Sequence, residues 1–226
     1  NIFVIPQVRK YFTSEHGNYH TFIFDAYLAK RHMPLRSKCI MFETGPNYIK
    51  RAYPGDLYYV IPKNNAPLCY VNSHDLWTAF NDKVVNIEIF NDLVTTLSAK
   101  DDSKLSSYND IIQFFTNMYQ KIQEDKKTYK MILKSAIISC VDDNIDNVNT
   151  LYNTMINIKP NIQQWLENDV FDLNNRFNIT TPETLCKKFP KTEIEVWTNS
   201  ECLFVPEDMY TDFIKEYKSH NLHDRY

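Results

Sequence analysis

Glycine is scarce in this chain, which has only three glycines among 226 residues, whereas proteins on average use about 7% glycine. Phosphate-binding loops need several glycines within a short stretch, because the backbone has to approach the phosphate closely. The sequence contains neither a G-x-G-x-x-G nor a G-x-x-x-x-G-K-[ST] pattern. Nucleotide-binding folds that depend on those loops are therefore excluded.

Long apolar runs and paired cysteines are also missing. No run of about 18 apolar residues could span a bilayer, so we expect no membrane partner. The five cysteines are odd in number and lack the spacing of zinc ligands, so we expect buried free thiols inside a cell. The net charge is −3 with lysine and arginine scattered, and we do not expect direct nucleic-acid binding.

What is present is enough apolar material for a core, at 43% hydrophobic residues. Three apolar runs end in polar residues and predict buried strands: 21–24 before Asp25, 67–71 before Ser73, and 136–141. Helices are predicted from near Leu76 and over 108–123 and 147–158. This alternation predicts an α/β fold with a doubly wound parallel sheet.

Further segments complete the predicted organisation. Aromatic and β-branched residues punctuated by turn signals predict a β-hairpin flap around 39–61, and a late strand is predicted over 194–197. We expect a core over 1–162 and a C-terminal extension over 163–226 packed on it. Because the chain begins with Asn1, we expect it to be part of a longer protein.

Carboxylates stand at two of the predicted strand ends. Ligands of an open parallel sheet bind beyond the carboxyl ends of its strands, so Asp25, Ser73, Asp142 and Asp143 are expected to converge on one crevice. Three carboxylates at one place repel each other unless a cation lies between them. Mg²⁺, which prefers oxygen ligands, is the predicted cofactor.

The acidic pair resembles the fourth motif of the haloacid-dehalogenase (HAD) phosphatases, an apolar strand followed by two acids and a helix. The run 22–27 is similar to the first motif, whose leading aspartate attacks phosphorus and here would be Asp25. Ser73 would be the hydroxyl of the second motif. The lysine of the third motif would be one of three that precede the third predicted strand: Lys126, Lys127 or Lys130.

Within that superfamily, a flap followed by Lys50-Arg51 and the second-motif strand resembles the polymerase C-terminal-domain phosphatases of the FCP/SCP type. The resemblance covers residues 20–150 and extends to a viral branch, the baculovirus nucleocapsid-assembly phosphatases, whose composition is similarly rich in Asn and Tyr. It implies a Mg²⁺-dependent phosphatase that acts on a phosphorylated, protamine-like basic protein. Its partners would be capsid proteins, in the host nucleus and the virion nucleocapsid.

The roles of the site residues follow from the same resemblance. Asp25 would form an aspartyl-phosphate, and Asp25, Asp142 and Asp143 would bind Mg²⁺. Ser73 would position a phosphate oxygen. Charge on the nucleophile and the phosphate would be balanced by Lys127 or Lys130.

Tyr27 departs from the family pattern. Phosphatases of this type carry an aspartate two residues after the nucleophile, which protonates the leaving group. A phenol, with an ordinary pKa of about 10, is a poor acid at neutral pH. His74 is a conceivable substitute, and dehalogenases of the superfamily have Asp-x-Tyr at this point but continue with a Gly-Thr that this chain lacks.

Three hypotheses therefore remain open from the sequence. The first is a phosphatase that uses Asp25. The second is a catalytically impaired pseudophosphatase that serves as a structural nucleocapsid component, which Tyr27 favours. The third is an unrelated α/β binding domain with accidental motif matches, which would lack parallel strands that bring Asp25 and Asp142 together.

Overall fold

The computed structural model describes residues 2–4, 18–52, 55–80, 86–141 and 145–219. It contains both helices and strands. The strands are β1 (Ile2–Val4), β2 (Ile40–Glu43), β3 (Tyr58–Pro62), β4 (Leu68–Tyr70), β5 (Asn178–Thr180), β6 (Glu195–Thr198) and β7 (Cys202–Pro206). The helices are α1 (Tyr19–Lys30), α2 (Pro46–Ala52), α3 (Ile87–Lys100), α4 (Tyr108–Glu124), α5 (Lys126–Cys140), α6 (Ile145–Ile156), α7 (Ile162–Gln164), α8 (Leu173–Arg176), α9 (Pro182–Lys188) and α10 (Tyr210–Ser219).

The chain forms two compact units, each assembled from separate stretches. Unit 1 comprises residues 1–10, 28–76 and 177–226, and unit 2 comprises 11–27 and 77–176. The predicted division into a core over 1–162 and a C-terminal extension over 163–226 stays a prediction. The α/β class is confirmed in its general form, since helices and strands are both present.

Unit 1 holds the strands in two sheets with the orders β1-β7-β3 and β2-β6-β4-β5. All pairings among the described strands are antiparallel. The inner strand β6 is buried along its whole length, although two of its four residues, Glu195 and Thr198, are polar. Its Trp197 is fully buried and donates from Nε1 to the carbonyl oxygen of Pro34 at 2.9 Å, so the indole's polar group is satisfied inside the core.

Unit 2 is helical, and its core is aromatic. Phe171 packs edge-on against Phe24 and Phe90, with ring centroids 5.1 and 4.7 Å apart. Phe115 packs against Trp165 at 5.3 Å. Edge-to-face pairs of this kind are favourable beyond the apolar area that they bury.

The predicted parallel sheet is wrong, because two of its three strands are helices. Residues 21–24 lie in α1, and most of 136–141 lies in α5. In α5 the buried residues Leu133, Ala136 and Ile137 have helical spacing. Short apolar runs do not distinguish a buried strand from a buried helix by themselves, and here the longer periodicity decided for helix.

The hairpin flap is also wrong. Its first strand, β2, pairs with β6, whereas its second, β3, pairs with β7 in the other sheet. Helix α2 lies between them in sequence. The region 39–61 therefore links two sheets of unit 1 instead of forming one hairpin.

Several other predictions are confirmed. Strand β4 falls within 67–71, and β6 overlaps the predicted late strand. Helices α4 and α6 match 108–123 and 147–158 to within two residues at each end. The helix predicted from near Leu76 is not among these. The described residues there form only a short 3₁₀ turn, Thr78–Phe80, and residues 81–85 lie outside the described part of the chain. In the described part of the chain, no helix is long and apolar enough to cross a membrane.

Candidate functional site

Asp25 and Tyr27 lie on helix α1 and not at the end of a strand. Residues two positions apart on a helix point about 200° away from each other, so these two side chains face different directions. Tyr27 is 2% exposed. Its hydroxyl donates to Oδ1 of Asn174 at 3.0 Å, which gives the phenol a structural role in unit 2.

The two lysines predicted for the site lie on α5. Lys127 and Lys130 are exposed in the first turns of this helix. The helix begins after Asp125, whose side chain accepts from the backbone N–H of Thr128 at 3.1 Å and caps it. The strand that was predicted to follow these lysines is the second half of the same helix.

Ser73 belongs to unit 1, whereas Asp25, Tyr27, Lys127 and Lys130 belong to unit 2. It follows β4, and its carbonyl oxygen accepts from the backbone N–H of Glu195 at 2.7 Å. Asp142 and Asp143 lie outside the described residues. The Mg²⁺ site that includes them stays a prediction, and the described residues contain no group of three or more His, Cys, Asp or Glu suited to a metal.

A cluster of acidic side chains that the sequence did not predict lies at the pairing of β2 with β6 in unit 1. Glu43 and Glu195 are directly opposite each other in the register, and directly opposed side chains on neighbouring strands are close together. Glu195 is 8% exposed. We refer to Glu43, Asp75, Glu193 and Glu195 as the β2–β6 carboxylates.

Glu195 is satisfied on both oxygens. Its Oε1 accepts from Nε of Arg36 at 3.0 Å, and its Oε2 accepts from the backbone N–H of Leu76 at 2.9 Å. A buried carboxylate is costly unless it is paired and hydrogen-bonded. This one therefore connects β6 to the turn at Arg36 and to the loop after β4.

Glu193 stabilises the start of α2. Its Oε1 accepts from the backbone N–H of Asn47 at 2.8 Å, which satisfies one of the unpaired donors of a helix N-terminus. Gly45 is needed here, because a Cβ at this residue would lie 2.6 Å from Cγ of Glu193. The missing side chain thus allows Glu193 to reach the helix.

Glu43 is the member of the group whose charge is unfavourable. Burial is the largest of the causes that together raise the pKa of its carboxyl from 4.5 to about 7, followed by the charges of Glu193, Glu195 and Asp75. Its Oε2 is buried and has no hydrogen-bond partner among the described residues. The folded unit therefore favours the neutral form of this carboxyl over the ionised one.

The sequence offered one signal for this group. An acid inside the apolar run Ile194-Glu195-Val196-Trp197 is unusual for a strand buried on both faces, because ionised side chains are rarely fully buried without a partner. Glu43 gave no such signal. Its importance depends on the pairing of β2 with β6, which joins residues far apart in the chain.

Unit 2 contains a small polar depression at the start of its π-helix, Trp165–Val170. Its volume is about 290 Å³. It is lined by Lys159, Asn161, Gln164, Trp165, Asn168 and Asp169. Lys159 and Asp169 pair with each other at 2.8 Å, so the two charges at its rim neutralise each other.

Comparison with known proteins adds no family to this description. No family model matches the chain, and neither a curated protein nor a solved structure matches it.

Proposed function

We propose that this protein is a non-catalytic, protein-binding component of a larger assembly. The observation that carries the proposal is on α5, where Met131 is 60% and Ile138 is 56% exposed. These residues are seven apart and therefore lie on one face of the helix. Large apolar side chains that are exposed on the same helix face are a common feature of interaction surfaces.

The placement of Asp25 and Tyr27 supports a non-catalytic role. Aspartyl-phosphate chemistry needs the nucleophile and the proton donor to face the same substrate. On α1 these two residues point in different directions, and the hydroxyl of Tyr27 is engaged by Asn174. The antiparallel pairing of the described strands also leaves no parallel strand ends at which the predicted phosphatase site could form.

The setting that we propose is the one implied by the resemblance. The assembly would be a viral nucleocapsid, its other members would be capsid proteins, and it would form in the host nucleus. The Mg²⁺ cofactor and the phosphorylated basic substrate belong to the competing hypothesis, a working HAD-like phosphatase.

An activity assay separates the two functions. Wild type, Asp25→Asn and Asp92→Asn are incubated with Mg²⁺ and either an aryl phosphate or a phosphorylated basic peptide. Asp92 is the matched control, since it is also a partly buried helical aspartate of unit 2. We expect all three samples to show the same background rate.

A rate that disappears in Asp25→Asn and survives in Asp92→Asn would overturn the proposal. Such a result would mean that Asp25 is the nucleophile of a phosphatase, because loss of the attacking group typically lowers turnover by several orders of magnitude.

A further inference from the structure

One exposed face of helix α5 alternates lysine with a large apolar side chain. The exposed residues of this face are Lys127, Met131, Lys134 and Ile138. They follow each other at intervals of four, three and four residues, which is the spacing of residues that contact a neighbouring helix. We refer to these four residues as the α5 seam. The buried residues of the helix lie on a different side.

The positive charge of α5 is not neutralised within the described part of the protein. The helix contains four lysines and no acidic residue. The ion pairs described for unit 2 use other lysines, Lys121 and Lys159. No described carboxylate forms an ion pair with Lys127, Lys130 or Lys134. Their charge is therefore available to a ligand.

The positions of these lysines are unfavourable for α5 itself. Lys126, Lys127 and Lys130 lie in the first two turns of the helix, where the helix dipole favours acidic side chains and disfavours cations. The first turn contains no acidic residue. A local preference that is broken without a compensating internal interaction is typical of a functional position.

We infer that the α5 seam binds an acidic helix of another protein. On that helix, apolar residues seven positions apart cover Met131 and Ile138, and Asp or Glu residues between them pair with Lys127 and Lys134. Two helices whose contact residues repeat every seven positions pack along each other in this way. The inference rests on the proposed protein-binding function and adds the chemistry of the partner.

Other occupants fit the α5 seam less well. The α5 of a second copy would bring lysine against lysine. Nucleic-acid phosphates would pair with the lysines but leave Met131 and Ile138 exposed, and the seam carries no aromatic side chain on which bases could stack. Helices that bind a membrane surface insert a wide apolar face with large side chains, whereas the seam has only two apolar residues.

The first test selects binding peptides without assuming a partner sequence. A yeast-displayed library of helical peptides, randomised at every position, is sorted for binding to the full chain. Peptides that also bind the variant with Lys127→Glu and Lys134→Glu are discarded. We expect the remaining peptides to share Asp or Glu residues and apolar residues at seven-residue spacing. If no peptide remained, or if those that remained were not acidic, the inference would be overturned.

A titration of one selected peptide, followed by fluorescence anisotropy, separates the two kinds of contact. Changing both Met131 and Ile138 to serine removes the apolar contacts and keeps the charge. We expect this variant to bind the peptide about tenfold more weakly than wild type does. Binding that is unaffected by the loss of these apolar side chains would overturn the inference.

Two controls accompany the lysine variant. A second peptide, in which lysine replaces each acidic residue, should bind the variant with Lys127→Glu and Lys134→Glu, because the charges are then exchanged between the partners. A misfolded variant would not regain binding in this way. Lys38→Glu with Lys191→Glu changes the net charge equally at exposed lysines of unit 1 and should bind the original peptide like wild type. The absence of exchanged binding, or a loss of binding in the unit 1 control, would overturn the inference.

Parallel titrations use a DNA duplex and vesicles that contain phosphatidylserine. We expect neither to bind as tightly as the selected peptide. Tighter binding of either one, lost on reversal of the two lysines and unchanged in the serine variant, would assign the face to phosphate groups and overturn the inference.

The outcomes separate this inference from the proposed function. Asp25-dependent turnover would overturn the protein-binding role whichever peptides are selected. A protein without such turnover that selects no acidic helix would overturn only the assignment of the partner.

Discussion

Glu43 shows how much one residue's environment depends on its cross-strand neighbour. Its carboxyl lies opposite Glu195, and Glu195 already uses both oxygens to hold Arg36 and the Leu76 amide. Burial, together with repulsion by Glu193 and Glu195, therefore raises the pKa of Glu43. Its raised pKa of about 7 means that the neutral form is the one the folded state accommodates.

This environment makes the stability of the protein depend on pH. The folded pKa of Glu43 lies above its unfolded value of 4.5, so the folded state binds the proton more tightly. Stability is then fully present below about pH 4.5 and is lost as the pH rises through 7. We expect Glu43→Gln, which stays neutral, to be more stable than wild type above pH 7 by about 1 kcal/mol, after allowance for screening by solvent.

Urea denaturation at a series of pH values between 4 and 8 measures this difference. The two proteins should be about equally stable near pH 4 and diverge toward pH 7. Glu124→Gln, at an exposed helical glutamate, is the control and should run parallel to wild type. Equal pH dependence of Glu43→Gln and wild type would show that Glu43 does not resist ionisation.

At the scale of the element, local signals identified two helices and two strands, and they mistook parts of two further helices for strands. Helix α4 has a serine cap, Ser107, and buried residues at helical spacing, and it was predicted correctly. The residues of the run 21–24 have the high β-propensity of a strand. Tyr27 and Leu28, which follow it, are buried on the same face of α1 as the run. A four-residue run was too short for that periodicity to be recognised.

The cap of α4 gives a prediction at this scale. The Ser107 side chain accepts from the backbone N–H of Asp110 at 3.2 Å. Ser107→Ala leaves that donor without a protein partner and should lower the free energy of unfolding by about 1 kcal/mol. Chemical denaturation followed by helical circular dichroism measures the loss.

Asn109→Ala is the matched control, because Asn109 is exposed in the first turn of the same helix. Its effect should be close to zero or slightly stabilising, given the higher helix propensity of alanine. If both substitutions had the same effect, the hydrogen bond of Ser107 would contribute nothing to the helix.

At the scale of the whole molecule, the thiols distinguish the interior from the surface. Cys39, Cys69 and Cys202 are buried in unit 1, Cys186 is exposed, and Cys140 is intermediate. Burial raises the pKa of Cys202 to about 12 and that of Cys69 well above its usual range. The thiolate is the reactive form, so Cys69 and Cys202 are protected both by burial and by the small fraction of thiolate at neutral pH.

We expect a disulfide reagent to label the native protein at neutral pH in three phases. Cys186 should react fast, Cys140 more slowly, and the three buried thiols only on the timescale of unfolding. Mass spectrometry of the labelled peptides assigns each phase, and all five should react at once in denaturant. Fast labelling of Cys69 in the native protein would contradict the buried sheet of unit 1.

The sequence by itself determined the features that depend on neighbours in the chain. These features are the presence of both helices and strands, the helices α4 and α6, the strands β4 and β6, and the lack of glycine-rich phosphate loops. Capping, turn residues and helical spacing act over a few residues, so they are visible in the sequence.

Only the tertiary structure decided which elements meet. Whether β2 pairs with β3 or with β6 and whether Glu43 faces other acids depend on contacts between distant residues. β-Propensity spans roughly 1 kcal/mol. Burying a large apolar side chain against such partners contributes more than that, so burial outweighs local propensity. The predicted crevice at Asp25 rested on such a pairing, and Asp25 instead lies on a helix of unit 2.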